Sequence, residues 1–292
     1  MDELHSQLSL AFPVVMISVF LALFVAERHR PLRRSKRRLL QRLKANAALT
    51  VLTLAVAALV VRPVVVSLAV RAGEVRTGVL GVAGIPRWMQ FGAGFLLMDF
   101  TFYLWHRANH EIGLLWRLHN VHHFDPDLDV TTSFRFHAGE ILLSVGFRTV
   151  QVWLLGITIP ILIAYEGVFL AATMFHHSNI RLPLGFERML NRVFVTPRMH
   201  GIHHSVVKSE TNSNYGSVFR WWDIAARTLV LDVPQQDIRI GVPGYMFPEQ
   251  NRLAEALKAP FTRQKDYWAW PNGKRPERPR EKGAPPARML RE

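Results

Sequence analysis

Apolar residues in this chain come in long runs separated by basic or histidine-rich stretches. The run lengths predict helices that cross a membrane. Residues 8–26 are apolar apart from Ser9 and Ser18, and 19 residues suffice for a hydrocarbon core of about 30 Å. A secretory leader would carry its basic residues before such a run and a small-residue cleavage site after it. Here the basic residues follow, so the run reads as a membrane span. Residues 28–44 hold nine Lys or Arg, which places this loop in the cytoplasm and the N-terminus outside by the positive-inside rule.

Residues 45–70 form a second span, with a kink expected at Arg62-Pro63 or Arg62 reaching to the interface. Residues 88–105 form a third, returning the chain to the cytoplasmic side at His106. Residues 140–175 are again apolar. At 36 residues, with Gly156 and Pro160 near the middle and Arg148 and Glu166 inside, they predict a two-helix hairpin whose ends lie on one side. The expected fold class is therefore all-α, a multi-pass integral membrane protein of about four membrane helices or hairpin segments with a helical cap on the cytoplasmic face. Three regions follow: residues 1–89 as N-terminal membrane helices and basic loop, 90–231 as the catalytic region, and 232–292 as a polar basic tail. The last 22 residues hold five prolines and seven Lys or Arg, a composition expected to be disordered and to meet anionic lipid.

The histidines change the picture from a membrane protein to one with a site. Eleven of 13 fall between residues 106 and 204. His106 and His110 are spaced i, i+4. His119, His122 and His123 repeat the i, i+3, i+4 pattern of His200, His203 and His204. Residues so spaced share a helix face, so each cluster offers two or three imidazoles to one point. Neutral imidazole binds Zn, Cu, Fe or Ni. Eight to ten histidines exceed what one tetrahedral ion takes and suit two ions with four or five ligands each. With the hairpin between them, all the clusters land on one cytoplasmic face. Asp99 stands two helical turns before His106 on the same face, as a carboxylate that could take an imidazole's second N–H.

Composition narrows the alternatives. The chain has no cysteine, which excludes disulfides, Cys-zinc sites and an internal cysteine-ligated iron–sulfur cluster. Its net charge is +14, but 49% of its residues are apolar, so the partner is a membrane rather than nucleic acid. A membrane zinc-dependent hydrolase would show His-Glu-x-x-His, which is absent. A metal transport protein would place its ligands inside the spans; here they lie beyond the span ends.

At these residues the chain resembles the fatty acid hydroxylase/sterol desaturase superfamily, whose signature is the box order HxxxH, HxxHH, HxxHH. The flanks are similar to its bacterial sterol-desaturase-like branch: Arg135-Phe-His137-Ala-Gly-Glu140, His177-Ser-Asn-Ile-Arg-Leu-Pro183, Thr196-Pro-Arg-Met-His200, Asn214-Tyr-Gly216, and Trp222-Asp223. Three positions depart. Ala138 stands where the branch has proline, Trp222-Asp-Ile-Ala-Ala-Arg-Thr228 where it ends Trp-Asp-Arg-Leu-Phe-Gly-Thr, and Thr173 where some relatives have a further histidine.

The resemblance implies a di-metal centre, taken to be two irons with zinc as a substitute on overexpression. It implies O₂ as co-substrate and hydroxylation or desaturation of an unactivated C–H bond in a lipid, such as a sterol-like, fatty acyl or carotenoid substrate. The expected ligands are His106, His110, His119, His122, His123, His177, His200, His203 and His204, with His176 as a tenth. Asp99, Glu111, Glu140 and Asp223 are the candidate partners of the ligands' second ring nitrogens, each with a solvated surface charge or a structural ion pair as the competing reading; His137 is either an extra ligand or, as favoured here, another such partner. With no cysteine, haem or flavin motif, electrons must come from an external reductase, ferredoxin or cytochrome b5-like donor. The basic run Arg33–Arg38 is the expected docking face for it. Phe91, Phe95, Phe100, Phe102 and Trp105 either line a substrate tunnel or pack between helices.

Overall fold

The computed structural model describes residues 2–278, with side chains from Phe12 onward. Helix α1 (Asp2–His29) is followed by the basic loop, then by α2 (Leu39–Val56), a π-helical turn (Ala57–Val61) and α3 (Arg62–Val75). The π turn lies where the sequence predicts a kink. Pro63 has no N–H and crowds the carbonyl one turn back, and the chain widens ahead of it. A short α4 (Gly78–Val82) leads to α5 (Arg87–Glu111) and α6 (Gly113–His123). The hairpin is α7 (Ala138–Leu155) and α8 (Ile159–His177), turned by Gly156 at φ 73°. At that turn a Cβ on Gly156 would lie 2.1 Å from the Thr77 carbonyl oxygen, so the two backbones cross where no side chain fits.

Among the described residues, four segments are long and apolar enough to cross a membrane: Phe12–His29, Leu39–Val82, Ala138–Leu155 and Ile159–His177. Their outward faces expose Ile17, Leu21, Leu59, Val150, Leu154 and Ile163, a surface suited to lipid rather than water. The expected third span is different. α5 has the length, but Gln90 and Asp99 lower its hydropathy and it is not among the four. It packs against α7 and α8. Arg148 and Glu166, the charges inside the hairpin, form an ion pair with each other, which lowers the cost of holding both in lipid.

Phe102, Trp105, Phe147, Tyr165 and Phe169 stack between α5, α7 and α8, with Trp105 and Phe147 centroids 4.9 Å apart. Phe95 meets Tyr165 edge-on, Phe100 packs on Trp222, and Phe91 is exposed. Beyond α8 come α9 (Leu184–Leu190), α10 (Pro197–His203) and shorter turns. No strand occurs among the described residues, only isolated bridges such as Pro31 with Ile180 and Ser205 with Ile240.

Two sequence expectations change here. The basic run is not a free docking face. Arg37 pairs with Asp125 and Asp127, Arg42 pairs with Asp129, and Arg33 donates to the Pro197 carbonyl at 3.0 Å and to Gln235 at 2.6 Å. These charges are used inside the molecule because the Asp125-Pro-Asp-Leu-Asp129 run offers three carboxylates to them; Arg34 and Arg38 stay exposed. Residues 232–278 also pack onto the body rather than trailing from it. Val242, Tyr245 and Ala256 join Leu49, Trp116, Val121 and Phe124 in a second apolar cluster, flanked by Tyr267 and Trp268. The end of the expected tail, residues 279–292, lies outside the described residues.

Candidate metal centre

Four helices end at one place. α5 brings His106 and His110 in its last two turns, α6 brings His119, His122 and His123, α8 brings His176 and His177, and α10 brings His200 and His203 with His204 as its C-cap. A helix C-terminus carries partial negative charge, and each can stabilise a nearby cation by about 0.3–1 kcal/mol. Ile112, in extended conformation between α5 and α6, breaks the helix so that the histidines of both helices turn to one place. Pro197, near the start of α10, presets the helical φ there.

Nine imidazoles form two groups, with nitrogens within 4.8 Å of one another in each: His106, His110, His119, His123 and His203 in one, and His122, His177, His200 and His204 in the other. The sequence spacing suggested that each box serves one point. Instead the HxxHH boxes are split. His119 and His123, four apart, go to the five-membered group while His122 turns to the other. In the third box His200 and His204 go to the four-membered group and His203 turns away. Adjacent residues lie about 100° apart on a helix, so each His-His dipeptide straddles the two groups.

The hydrogen bonds show what these groups suit. His106 Nδ1 meets the Tyr215 carbonyl at 2.8 Å, His177 Nδ1 the Thr173 carbonyl at 2.8 Å, His203 Nδ1 the Ser213 carbonyl at 2.7 Å, and His122 Nδ1 the Arg135 carbonyl at 3.2 Å. A carbonyl only accepts, so each Nδ1 carries the proton and each Nε2 presents a lone pair. His122 and His177 then face each other Nε2 to Nε2 at 3.0 Å, lone pair against lone pair. Burial holds both His122 and His177 well below the usual imidazole range, so neither gains a second proton to bridge this contact.

A metal ion held between them would resolve the conflict. Two nitrogens each about 2.1 Å from one ion, at angles of 90–110°, lie about 3.0–3.4 Å apart. The Nε2 pairs His177–His200 and His200–His204 are 3.0 and 3.1 Å apart, and His119–His123 are 3.2 Å apart. His110, with neither ring nitrogen partnered, and His203 Nε2 are buried donor-set members with no protein partner among the described residues. The residues present fit two ions held by nitrogen alone.

His176 is outside both groups. Its ring lies 4.1 Å from the His200 ring and its Nδ1 has no partner among the described residues. Thr173 contributes its carbonyl to His177, not its side chain.

Of the carboxylates singled out by sequence, only Glu140 touches a grouped imidazole, accepting from His119 Nδ1 at 2.9 Å. Glu140→Gln should lower metal affinity about 10- to 100-fold while leaving the fold intact, as measured by metal titration and thermal unfolding. Glu111 points outward to Arg107, its i−4 neighbour on the exposed face of α5. Asp99 holds no histidine. Its oxygens are taken by the Trp222 indole at 2.7 Å, the Val218 and Phe219 amides and the Tyr165 hydroxyl. His137 caps α7, its Nδ1 accepting the Gly139 N–H, and meets the Leu257 carbonyl with Nε2.

Asp223 acts one step removed. It accepts from the Tyr215 and Gly216 amides at 2.8 Å each, holding the loop whose Tyr215 and Ser213 carbonyls orient His106 and His203. Gly216 is required there, since a Cβ would come within 2.8 Å of the Asp223 carboxylate. The altered ending after Asp223 keeps its turn. Thr228 N–H donates to the Asp223 carbonyl at 2.8 Å, but Arg227 sits at φ 60°, where the resemblance expects glycine. Arg227→Gly should gain about 0.5–1 kcal/mol, the left-handed strain relieved less the entropy cost of glycine, as a rise in unfolding temperature.

Other supports had no motif. Arg135, fully buried, donates to Val121 O, Asn46 and Asn251 while its own carbonyl orients His122. Gly201 lies under the Arg33 guanidinium, where a Cβ would be 1.7 Å from Nη2. Trp116 covers the five-membered group, 4.9 Å from the His110 ring, and stacks on Trp268 at 5.5 Å.

The profile of the family described as Fatty acid hydroxylase matches residues 91–228, the segment that supplies every grouped histidine. Residues 91–228 belong to this family. An ornithine lipid hydroxylase of Rhizobium tropici is 31% identical over 179 residues, 61% of this chain and 52% of that protein. An alkylglycerol monooxygenase of Caenorhabditis elegans is 31% identical over 125 residues, 43% of this chain and 24% of its own length. The human cholesterol 25-hydroxylase is 26% identical over 137 residues, 46% of this chain and 48% of its own. The match thus spans from about a quarter to about half of these relatives. No solved structure matches.

Proposed function

We propose that this protein is a membrane di-iron oxygenase that inserts oxygen at an unactivated C–H position of a lipid, drawing on O₂ and two external electrons. The observation that carries this reading is two all-imidazole groups with Nε2 pairs at cation-coordination spacing, one of which sets His122 and His177 lone pair to lone pair. Iron is chosen because imidazole accepts it and because oxidation needs a redox-active ion, which zinc is not. When bound, such ions supply the oxidising chemistry.

The chain's own residues do the rest. Carbonyls of Arg135, Thr173, Ser213 and Tyr215 and the Glu140 carboxylate hold protons on Nδ1 so that Nε2 stays free. Trp116, with Trp268 stacked on it, excludes water from the five-membered group. Glu140 is committed to His119, which argues against a glutamate-based zinc hydrolase. The relatives named above are hydroxylases and monooxygenases, which favours hydroxylation over desaturation. The basic loop packs on the same face as the histidines through Arg33 and Gly201, and the positive-inside rule puts both in the cytoplasm. Electrons would come from an external reductase, ferredoxin or cytochrome b5-like donor. The test is turnover of iron-loaded protein in lipid with a chemical or enzymatic reductant under oxygen-18 gas. Label in a lipid hydroxyl supports the reading; unchanged lipids with a loaded site contradict it.

A further inference from the structure

Just past the ends of α1 and α8 the chain pairs with itself. Pro31 bridges Ile180 in the antiparallel sense, Arg181 N–H donates to the Arg30 carbonyl at 2.7 Å, and Leu32 N–H donates to the Asn179 carbonyl at 2.7 Å. This register sets Arg30 directly opposite Arg181. Like charges in that relation destabilise a strand pair unless something of opposite sign joins them. Neither arginine forms a salt bridge among the described residues. The nearby acids are engaged elsewhere: Glu27 accepts the Val130 and Asn179 amides and pairs with Arg28, and Glu187 pairs with Arg198.

The two arginines flank an open cleft of about 490 Å³ completed by His29, Pro31, Leu182 and Pro183. Its lining contains no acidic residue, and its proline and leucine walls are apolar. The cleft begins where the candidate spans Phe12–His29 and Ile159–His177 end, which is the level of lipid headgroups. We propose that it binds the phosphate headgroup of an anionic membrane lipid, with Arg30 and Arg181 closing on the phosphate from opposite sides. Arginine's planar fork suits phosphate oxygens. The apolar walls and the position at the span ends favour a lipid over free phosphate. The proposal stands apart from the oxygenase reading and needs no metal.

The full chain in detergent is titrated with dioleoyl phosphatidylglycerol and followed by native mass spectrometry and thermal unfolding, with dioleoylglycerol and inorganic phosphate as the comparison probes. Phosphatidylglycerol should bind and raise the unfolding temperature where dioleoylglycerol does neither. The Arg30→Gln, Arg181→Gln double variant should bind it roughly tenfold more weakly or worse, with each single variant between. Arg34→Gln with Arg38→Gln, exposed arginines of the same loop outside the cleft, should leave binding unchanged. Equal loss in that control would show diffuse charge attraction and overturn the site. So would unchanged binding in the cleft variants or equal binding of dioleoylglycerol. Inorganic phosphate displacing the lipid at equal concentration would overturn the lipid assignment. If the double variant fails to fold, the single variants decide the matter: each should bind phosphatidylglycerol more weakly than the wild type, and unchanged binding in both would overturn the site.

Discussion

Replacing His200 and His204 together by alanine should empty one metal position and leave the other filled, so that metal content falls from about two ions per chain to about one. Replacing His119 and His123 together should do the same to the other position. The expectation follows from the split of the boxes, because each pair is spaced i, i+4 and serves a single group. Substituting all of His119, His122 and His123 should empty both, since His122 belongs to the four-membered group. Metal analysis of the purified variants checks this. If each pairwise variant lost both ions equally while remaining folded, the two groups would be one cooperative site and the division would be wrong.

Arg135→Ala should cost about 3–5 kcal/mol of stability, the low end of what three buried acceptors left unsatisfied cost together, and should also weaken metal held by the four-membered group. The guanidinium ties α6 through Val121, α2 through Asn46 and the C-terminal segment through Asn251. Its removal leaves those buried acceptors unsatisfied, each costing about 1–3 kcal/mol, beneath a backbone carbonyl that orients His122. Thermal unfolding in detergent, paired with metal analysis, measures both effects. A loss under about 1 kcal/mol would show that water or neighbours replace the guanidinium, and the network would not be structural.

The parts of the fold legible in sequence are those set by local spacing. Run lengths and Gly156 foretell the α7–α8 hairpin, Arg62-Pro63 foretells a distortion, and i, i+3, i+4 spacing foretells which histidines can share a face. The division of His122 from His123 was not legible, because it depends on how α6 crosses α8 and α10. Asp99 and Glu111 misled for a common reason. Position on a helix shows what a carboxylate can reach, but other donors decide its partner: the Trp222 indole and two amides for Asp99, and Arg107 for Glu111. Arg33 and Arg37 looked like a free basic face because their partners lie about ninety or more residues away, at Asp125, Asp127 and Pro197. The folded part of residues 232–278 was hidden by polar composition. Its anchors are a few aromatics, Tyr245, Tyr267 and Trp268, whose spacing follows no helical or strand period.

If nine histidines hold two redox-active ions, the purified protein carries a fixed number of them per chain. The wild-type protein, purified in detergent and reconstituted with ferrous iron without oxygen, is measured by elemental mass spectrometry against protein concentration. About two irons per chain should remain bound after desalting. One ion, or none that survives desalting, would contradict it.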